Sequence, residues 1–254
     1  EVGSFRKIAT LSETSNFMLS FLKKFEDYYP YLNKKASEVL ITKEIVQKID
    51  IVVDKYGEIK DNASADLLAI RREMNLVRGK VNQSFGVALT QYNGLGYLDD
   101  IKESFVQNRR VLAVLAMYRR KVKGTILGSS KTGSIAYIEP ELTLKYSREL
   151  SNLEYEEKEE ITRILKQLSN DIRPFLSLLI QYQDFLSDID VVAAKAKYAN
   201  RINGILPNIT ENRRLFFRDA FHPILYLTNK QKNEITHPQT IELKQENRII
   251  VISG

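Results

Sequence analysis

The sequence contains no cysteine and no tryptophan, and only 11 glycines and 6 prolines in 254 residues. Without cysteine there is no disulfide, no thiol nucleophile and no cysteine-bound metal, which fits a reducing cytoplasm. Scarce glycine and proline point to long regular elements rather than many loops. No apolar run approaches the ~20 residues that span a bilayer, and no signal-peptide pattern leads the chain, so no membrane partner is expected. The two histidines, His222 and His237, have no carboxylate pair at ligand spacing. No metal site is therefore expected. No Ser-His-Asp or His-Glu-x-x-His pattern occurs either, so no catalytic residue is expected, and His222 before Pro223 reads as structural. What is present is ordinary for a globular protein: 43% hydrophobic and 28% charged residues. The length suffices for one large domain or two small ones. The chain opens on Glu1 rather than Met and stops at Gly254, and it reads as a piece of something longer.

Acid is missing from one stretch in particular. Between Ser104 and Ile138 there is no Asp or Glu, but there are seven bases: Arg109, Arg110, Arg119, Arg120, Lys121, Lys123 and Lys131. The net charge is +6, so the rest of the chain sums to −1. The same stretch is where a helical pattern yields to short β-branched runs punctuated by Gly128, Ser129, Ser130 and Gly133. Val111–Ala116, Lys121–Leu127 and Ser134–Ile138 read as three short strands with tight connections. Lys121 and Lys123 then share a face, with Arg119, Arg120 and Lys131 at turns.

Long helical patterns flank this element. From Asp61 to Tyr92, Leu67, Ile70, Met74, Val77, Val81, Phe85, Ala88 and Tyr92 recur at steps of three and four. Asn62 and Ser64 offer N-caps, and Asp66 sits in the first turn. After Glu139-Pro140-Glu141 a second stripe runs through Leu142, Tyr146, Leu150, Leu153, Ile161, Leu165, Leu168 and Ile172. Its middle, Glu154–Glu160, is too polar to be wrapped in a core and is expected to project into solvent and pack on a single partner. Two long helices around a small β tip are best satisfied antiparallel, with the tip at the far end.

The remaining elements are read more simply. Phe5–Tyr28 is a helix closed by Pro30, and a second starts near Thr42. Pro174 breaks the path into two shorter helices, Pro174–Leu186 and Asp190–Arg201. His222–Tyr226, Thr240–Leu243 and Arg248–Ile252 look like strands, the last entering Ser253-Gly254 as a parallel nucleotide-binding sheet begins. The fold class expected is mainly α. Its parts are residues 1–105 as helical core and first lever helix, 106–140 as a small basic β tip, 141–206 as return helix and core helices, and 207–254 as the first strands of a truncated α/β domain.

Several separated motifs resemble one family in its order. Asp54-x-x-Gly57-x-Ile59-x-Asp61-x-Ala63-Ser64-x-x-Leu67-x-x-Ile70-Arg71-Arg72, Val122-Lys123-Gly124 and Ile138-Glu139-Pro140 resemble the MutS-two branch of MutS-type ATPases. So do Asp188–Ala194, Ala220–Leu225 and the closing Arg-Ile-Ile-Val-Ile-Ser-Gly. The resemblance covers about Phe5 to Gly254. It implies a core, lever and reduced clamp ahead of an ATPase domain, in homodimeric proteins that bind branched DNA, are linked to suppression of recombination or to ribosome rescue, and often carry an Smr nuclease domain. It makes Gly254 the start of a phosphate loop. The family's phosphate-binding Lys, Mg²⁺ ligand and catalytic acid have no counterpart here, so ATP and Mg²⁺ belong to the full-length relatives and this chain is expected to hydrolyse nothing.

Two functional readings follow. In one, the seven cations hold DNA phosphates, branched or duplex, and the long helices act as a lever. In the other, the arms pair protomers or engage a ribosome. The bland counterparts are a solvated hairpin neutralised by the acidic helix and a static spacer.

Overall fold

The computed structural model describes residues 2–251 and is mainly α-helical, with small antiparallel sheets. The chain divides into two compact units, Glu1–Tyr182 and Gln183–Gly254.

The first unit begins with α1 (Val2–Lys24), α2 (Pro30–Ala36) and α3 (Glu44–Val52). Pro30 does not close the first helix; it stands at the first turn of α2, where its missing N–H costs nothing. Thr42 lies just before α3, its Oγ1 accepting from the Glu44 N–H at 3.2 Å. Gly57 takes a positive φ of 87° in the turn between the bridged Val53 and Ile59.

Helix α4 (Ala65–Gly94) starts at Ser64, whose hydroxyl accepts from Leu67 N–H at 3.0 Å. Its 30 residues reach about 45 Å. Of the expected stripe, Leu67, Met74, Val77, Phe85, Ala88 and Tyr92 are buried. The sheet strands follow: β1 (Leu98–Val106), β2 (Arg109–Leu115), β3 (Gly124–Ser129) and β4 (Ile135–Pro140), in spatial order β1-β2-β4-β3, all neighbours antiparallel. Four strands replace the expected three, because Leu98–Val106, with Asp99, Asp100, Lys102 and Glu103 in it, carries no clean apolar alternation. The second expected strand also starts later: Lys121 is a turn residue and β3 begins at Gly124.

Helix α5 (Glu141–Ile172) returns antiparallel along α4. Met74, Val77 and Leu153 form their dry seam, joined by Ile70, Val81, Tyr146 and Leu150. Leu142 is exposed, so the apolar stripe of α5 effectively starts one turn later. The acidic middle is not simply solvated. Glu157 accepts from Arg71 Nε at 2.7 Å, and buried Glu160 accepts from the Ser64 hydroxyl at 2.6 Å and from Arg163. The cap of α4 is thus itself held by α5, and Arg163 keeps the Glu160 carboxyl below the usual glutamate range.

Pro174 produces only one 3-10 turn, Arg173–Phe175, and a single helix α6 (Leu176–Arg201) follows where two were expected. The proline sits in the first turn of the new segment, where it leaves no donor wanting. Within the first unit, the buried Tyr182 hydroxyl is shared between the Leu40 carbonyl (2.9 Å) and Asn16 Oδ1 (3.1 Å). Burial pushes this phenol up.

In the second unit, β5 (Leu215–Ala220) pairs with the later strand β6 (Gln239–Leu243). Between them lies α7 (Pro223–Lys232). His222–Tyr226 is therefore a helix start rather than a strand: His222 Nδ1 accepts from the Leu225 N–H at 3.4 Å, and Pro223 occupies the first turn. Residues 248–251 form no strand; Ile252, Ser253 and Gly254, including the expected phosphate-loop start, lie outside the described residues.

Candidate nucleic-acid interface

The four-stranded sheet is seated on the end of α4. Ser84 Oγ meets Thr143 Oγ1 at 3.4 Å near the start of α5, so the last turns of α4 run on beyond it. Phe85, Ala88 and Tyr92 from those turns pack against Leu112 and Val114 of β2, Ala136 and Ile138 of β4, and Val122. The opposite face curls inward. A Cβ at Gly128 in β3 would lie 3.9 Å from Val106 in β1, so the two edge strands approach each other across the sheet. Val111, Ala113 and Glu139 are fully enclosed on that face. Crowding also reaches Gly124, where a Cβ would collide with the Glu139 carbonyl oxygen.

Two of the seven candidate cations are committed inside this element. Arg109 donates to Glu139 Oε2 at 3.0 Å, on a carboxylate with no exposed side-chain surface. Arg110 forks onto both oxygens of Glu103 at 3.0 Å and stacks over the Phe85 ring, 4.5 Å from its centroid. The β1–β2 hairpin that places Arg109 turns on Gln107 and Asn108, both at positive φ, as a two-residue turn matching strand twist demands.

The other five occupy two exposed connections. Arg119, Arg120, Lys121 and Lys123 lie in the crossing from β2 to β3, and Lys131 in the β3–β4 turn. The Ala116 N–H donates to the Ser134 carbonyl at 2.9 Å, bringing the start of the crossing against that turn. Between them opens a hollow of about 360 Å³ lined by Arg119, Gly128, Ser129 and Gly133. Lys123 stands at the opposite end: its carbonyl accepts from the Glu141 N–H at 3.1 Å, beside the start of α5. The crossing thus starts with Arg119 near the turn that carries Lys131, runs through Arg120 and Lys121, and ends with Lys123 beside the start of α5. Lys121 and Lys123 do not share a strand face. Among the described residues Arg119, Arg120, Lys121, Lys123 and Lys131 make no ion pair.

The charge of the whole sheet is more modest than the acid-free run suggests. Leu98–Pro140 holds eight bases and four acids, a net +4. The acids Glu103 and Glu139 fall one residue outside the window, yet they neutralise its two arginines. The sequence reading also passed over Tyr97 and Tyr118, which stack with ring centroids 4.5 Å apart; the Lys121 ammonium lies 5.5 Å from the Tyr118 centroid. A tyrosine directly before Arg119-Arg120 was the available signal. Among the described residues no group of three or more His, Asp or Glu is placed to hold a metal ion.

No protein-family model matches the chain. It is similar to proteins named Endonuclease MutS2: 29% identical over 231 residues to that of Halothermothrix orenii, 26% over 250 to that of a Geobacillus species, and 27% over 250 to that of Staphylococcus carnosus. The chain resembles these MutS2 proteins along most of its length. These alignments cover 91%, 97% and 98% of it. The chain spans 28–31% of the length of those MutS2 relatives. The long helix pair and the curled sheet both fall within the aligned MutS2 stretch.

Proposed function

We propose that this chain is the lever and clamp part of a MutS-type DNA-binding protein. The curled sheet holds the DNA backbone, branched or duplex, and α4 with α5 couples that contact to an ATPase domain elsewhere in the parent. The observation that carries this reading is the pair of exposed connections with five cations free of counter-ions. Charge of this kind, without base-reading geometry, grips phosphates irrespective of sequence. The hollow beside Arg119 is of a size to seat a phosphate. Arg109 and Arg110 belong to the same element but serve it from within, since an arginine already paired to a carboxylate releases little on meeting a phosphate.

The parent is then an ATP- and Mg²⁺-dependent homodimer acting in the cytoplasm to suppress homologous recombination. In a dimer two tips close on one duplex and gain by effective concentration. The chain by itself hydrolyses no ATP, because no Gly-rich loop followed by a lysine occurs in its sequence. A ribosome-binding or protomer-pairing role is favoured instead by one observation. Phe17, Phe21, Tyr28, Tyr29 and Tyr31 are exposed along α1, the turn after it and α2, with the Phe21 and Tyr29 rings in contact.

The test is the salt dependence of binding. Three or four phosphates per tip give a log K against log salt slope of about −3 on duplex DNA. Replacing Arg119, Arg120, Lys121 and Lys123 together by Ala flattens that slope while the helical circular dichroism stays unchanged. An unchanged slope and affinity in the quadruple variant would move the contact off the sheet and favour the protein–protein role.

A further inference from the structure

The crossing that carries Arg119, Arg120 and Lys121 also borders an ordered column of rings. Tyr92, Tyr97 and Tyr118 lie nearly parallel, at interplanar angles of 24° and 19° and centroid separations of 6.4 and 4.5 Å. Burial falls along the column, from Tyr92 at 7% exposure to the half-buried Tyr97 and Tyr118. The Tyr92 ring is held through its hydroxyl, and the backbones of Tyr97 and Tyr118 are anchored by main-chain hydrogen bonds. The Tyr92 hydroxyl accepts from the Lys123 N–H at 3.1 Å, and the Tyr92 carbonyl accepts from the Tyr97 N–H at 3.1 Å. The Tyr97 carbonyl accepts from the Leu115 N–H at 3.0 Å, and the Tyr118 carbonyl from the Lys121 N–H at 2.8 Å.

All three rings pack on the core of the sheet, Tyr92 within it and Tyr97 and Tyr118 at its edge, and the column ends at Tyr118, directly before the exposed Arg119-Arg120-Lys121. No further described ring stacks on Tyr118. The Lys121 ammonium lies 5.5 and 5.7 Å from the Tyr118 and Tyr97 centroids. Two rings only 4.5 Å apart, with the cation nearly equidistant from both, place it beside the column rather than on its extension past Tyr118. The cation flanks the stack without capping it. A rigid aromatic ring with positive charge at its side is how proteins hold an unpaired base with its phosphate, and the pre-ordered column keeps the entropic cost low.

We infer that Tyr118 is a stacking platform for an unpaired nucleobase, with Lys121 and Arg119-Arg120 holding the adjoining phosphates. This rests on the nucleic-acid reading above and adds to it the side chain that meets an unpaired base.

The test uses the 254-residue chain and a three-way DNA junction with 2-aminopurine at an unpaired position, beside the same probe placed in linear duplex. The expected result is quenching of the junction probe and not of the duplex probe. Tyr118→Phe keeps the quenching; Tyr118→Leu, which keeps apolar bulk but has no π face, abolishes it and lowers junction affinity about ten-fold, leaving duplex affinity unchanged. If Tyr118→Leu shifts the melting transition of the sheet, the fluorescence of the unsubstituted chain decides alone. Junction binding with an unquenched probe overturns the platform and leaves the phosphate-gripping tip standing. Failure of the unsubstituted chain to bind either DNA overturns both.

Discussion

At the scale of single residues, the tip is governed by where its counter-ions fall. Arg110, half-buried between Glu103 and the Phe85 ring, is a strut that ties β1 and β2 to α4. Gly124 is another such position: alanine there meets the Glu139 carbonyl, and we expect Gly124→Ala to destabilise the sheet by about 1–3 kcal/mol in chemical denaturation. Glu160 gives a pH dependence of known sign. Its hydrogen bonds to Arg163 and Ser64 lower its carboxyl in the folded state relative to the unfolded. The stability it contributes is therefore present above the ordinary glutamate value and is lost as pH falls through the lowered folded value. Thermal melts from pH 7 down to pH 3 should show the transition temperature falling at the acid end, and Glu160→Gln should make that fall shallower. Equal slopes in the two proteins would mean the Ser64–Glu160–Arg163 link contributes nothing.

At the scale of elements, α4 does two jobs along one stripe. Its first half packs α5 through Met74 and Val77 against Leu153, and its last turns carry the sheet through Phe85, Ala88 and Tyr92. Damage at the two halves should separate. Leu153→Ala removes a seam residue and should cost about 2–5 kcal/mol. Phe85→Ala should cost about 3–5 kcal/mol and, by freeing Arg110, loosen the tip more than the helix pair. Hydrogen exchange resolves this: protection lost first at Val111–Val114 in Phe85→Ala, and at residues 70–81 in Leu153→Ala. The acid-rich middle of α5 belongs to the same scale, since Glu157 and Glu160 fasten the beginning of α4 through Arg71 and Ser64.

At the scale of the whole molecule, the division at Tyr182 and Gln183 separates a well-packed helical unit with its sheet from a second unit with few buried residues. β5, α7 and the link between them leave Leu215, Phe216, Phe217, Phe221, Ile224 and Leu225 exposed. We expect the isolated chain to be a monomer or a weak dimer in light scattering. A tight dimer whose mass does not change on dilution would place a dimer contact within these residues. Purified chain should also show no Mg²⁺-dependent ATP turnover in a phosphate-release assay.

The sequence by itself determined the long elements. The stripes of α4 and α5 are local and periodic, so the antiparallel pair, a cap at Asn62 or Ser64 and a small β element between them were legible from spacing, though not its fourth strand. The MutS2 resemblance was legible too, since ordered motifs survive in linear order. Elements whose character is set by neighbours were not. β1 is polar because the curled sheet and α4 decide what it buries, and Pro174 and Pro223 read as breakers or strand residues until the first turns they open were known. The tip shows the same division. Seven cations stand out in a row of residues, but only the fold brings Glu139 to Arg109, 30 positions away, and lays three tyrosines from two segments in one column. Charge is counted along the chain; which charges remain free is decided across it, where Glu103 and Glu139 take two of the seven cations and leave five exposed without a carboxylate partner.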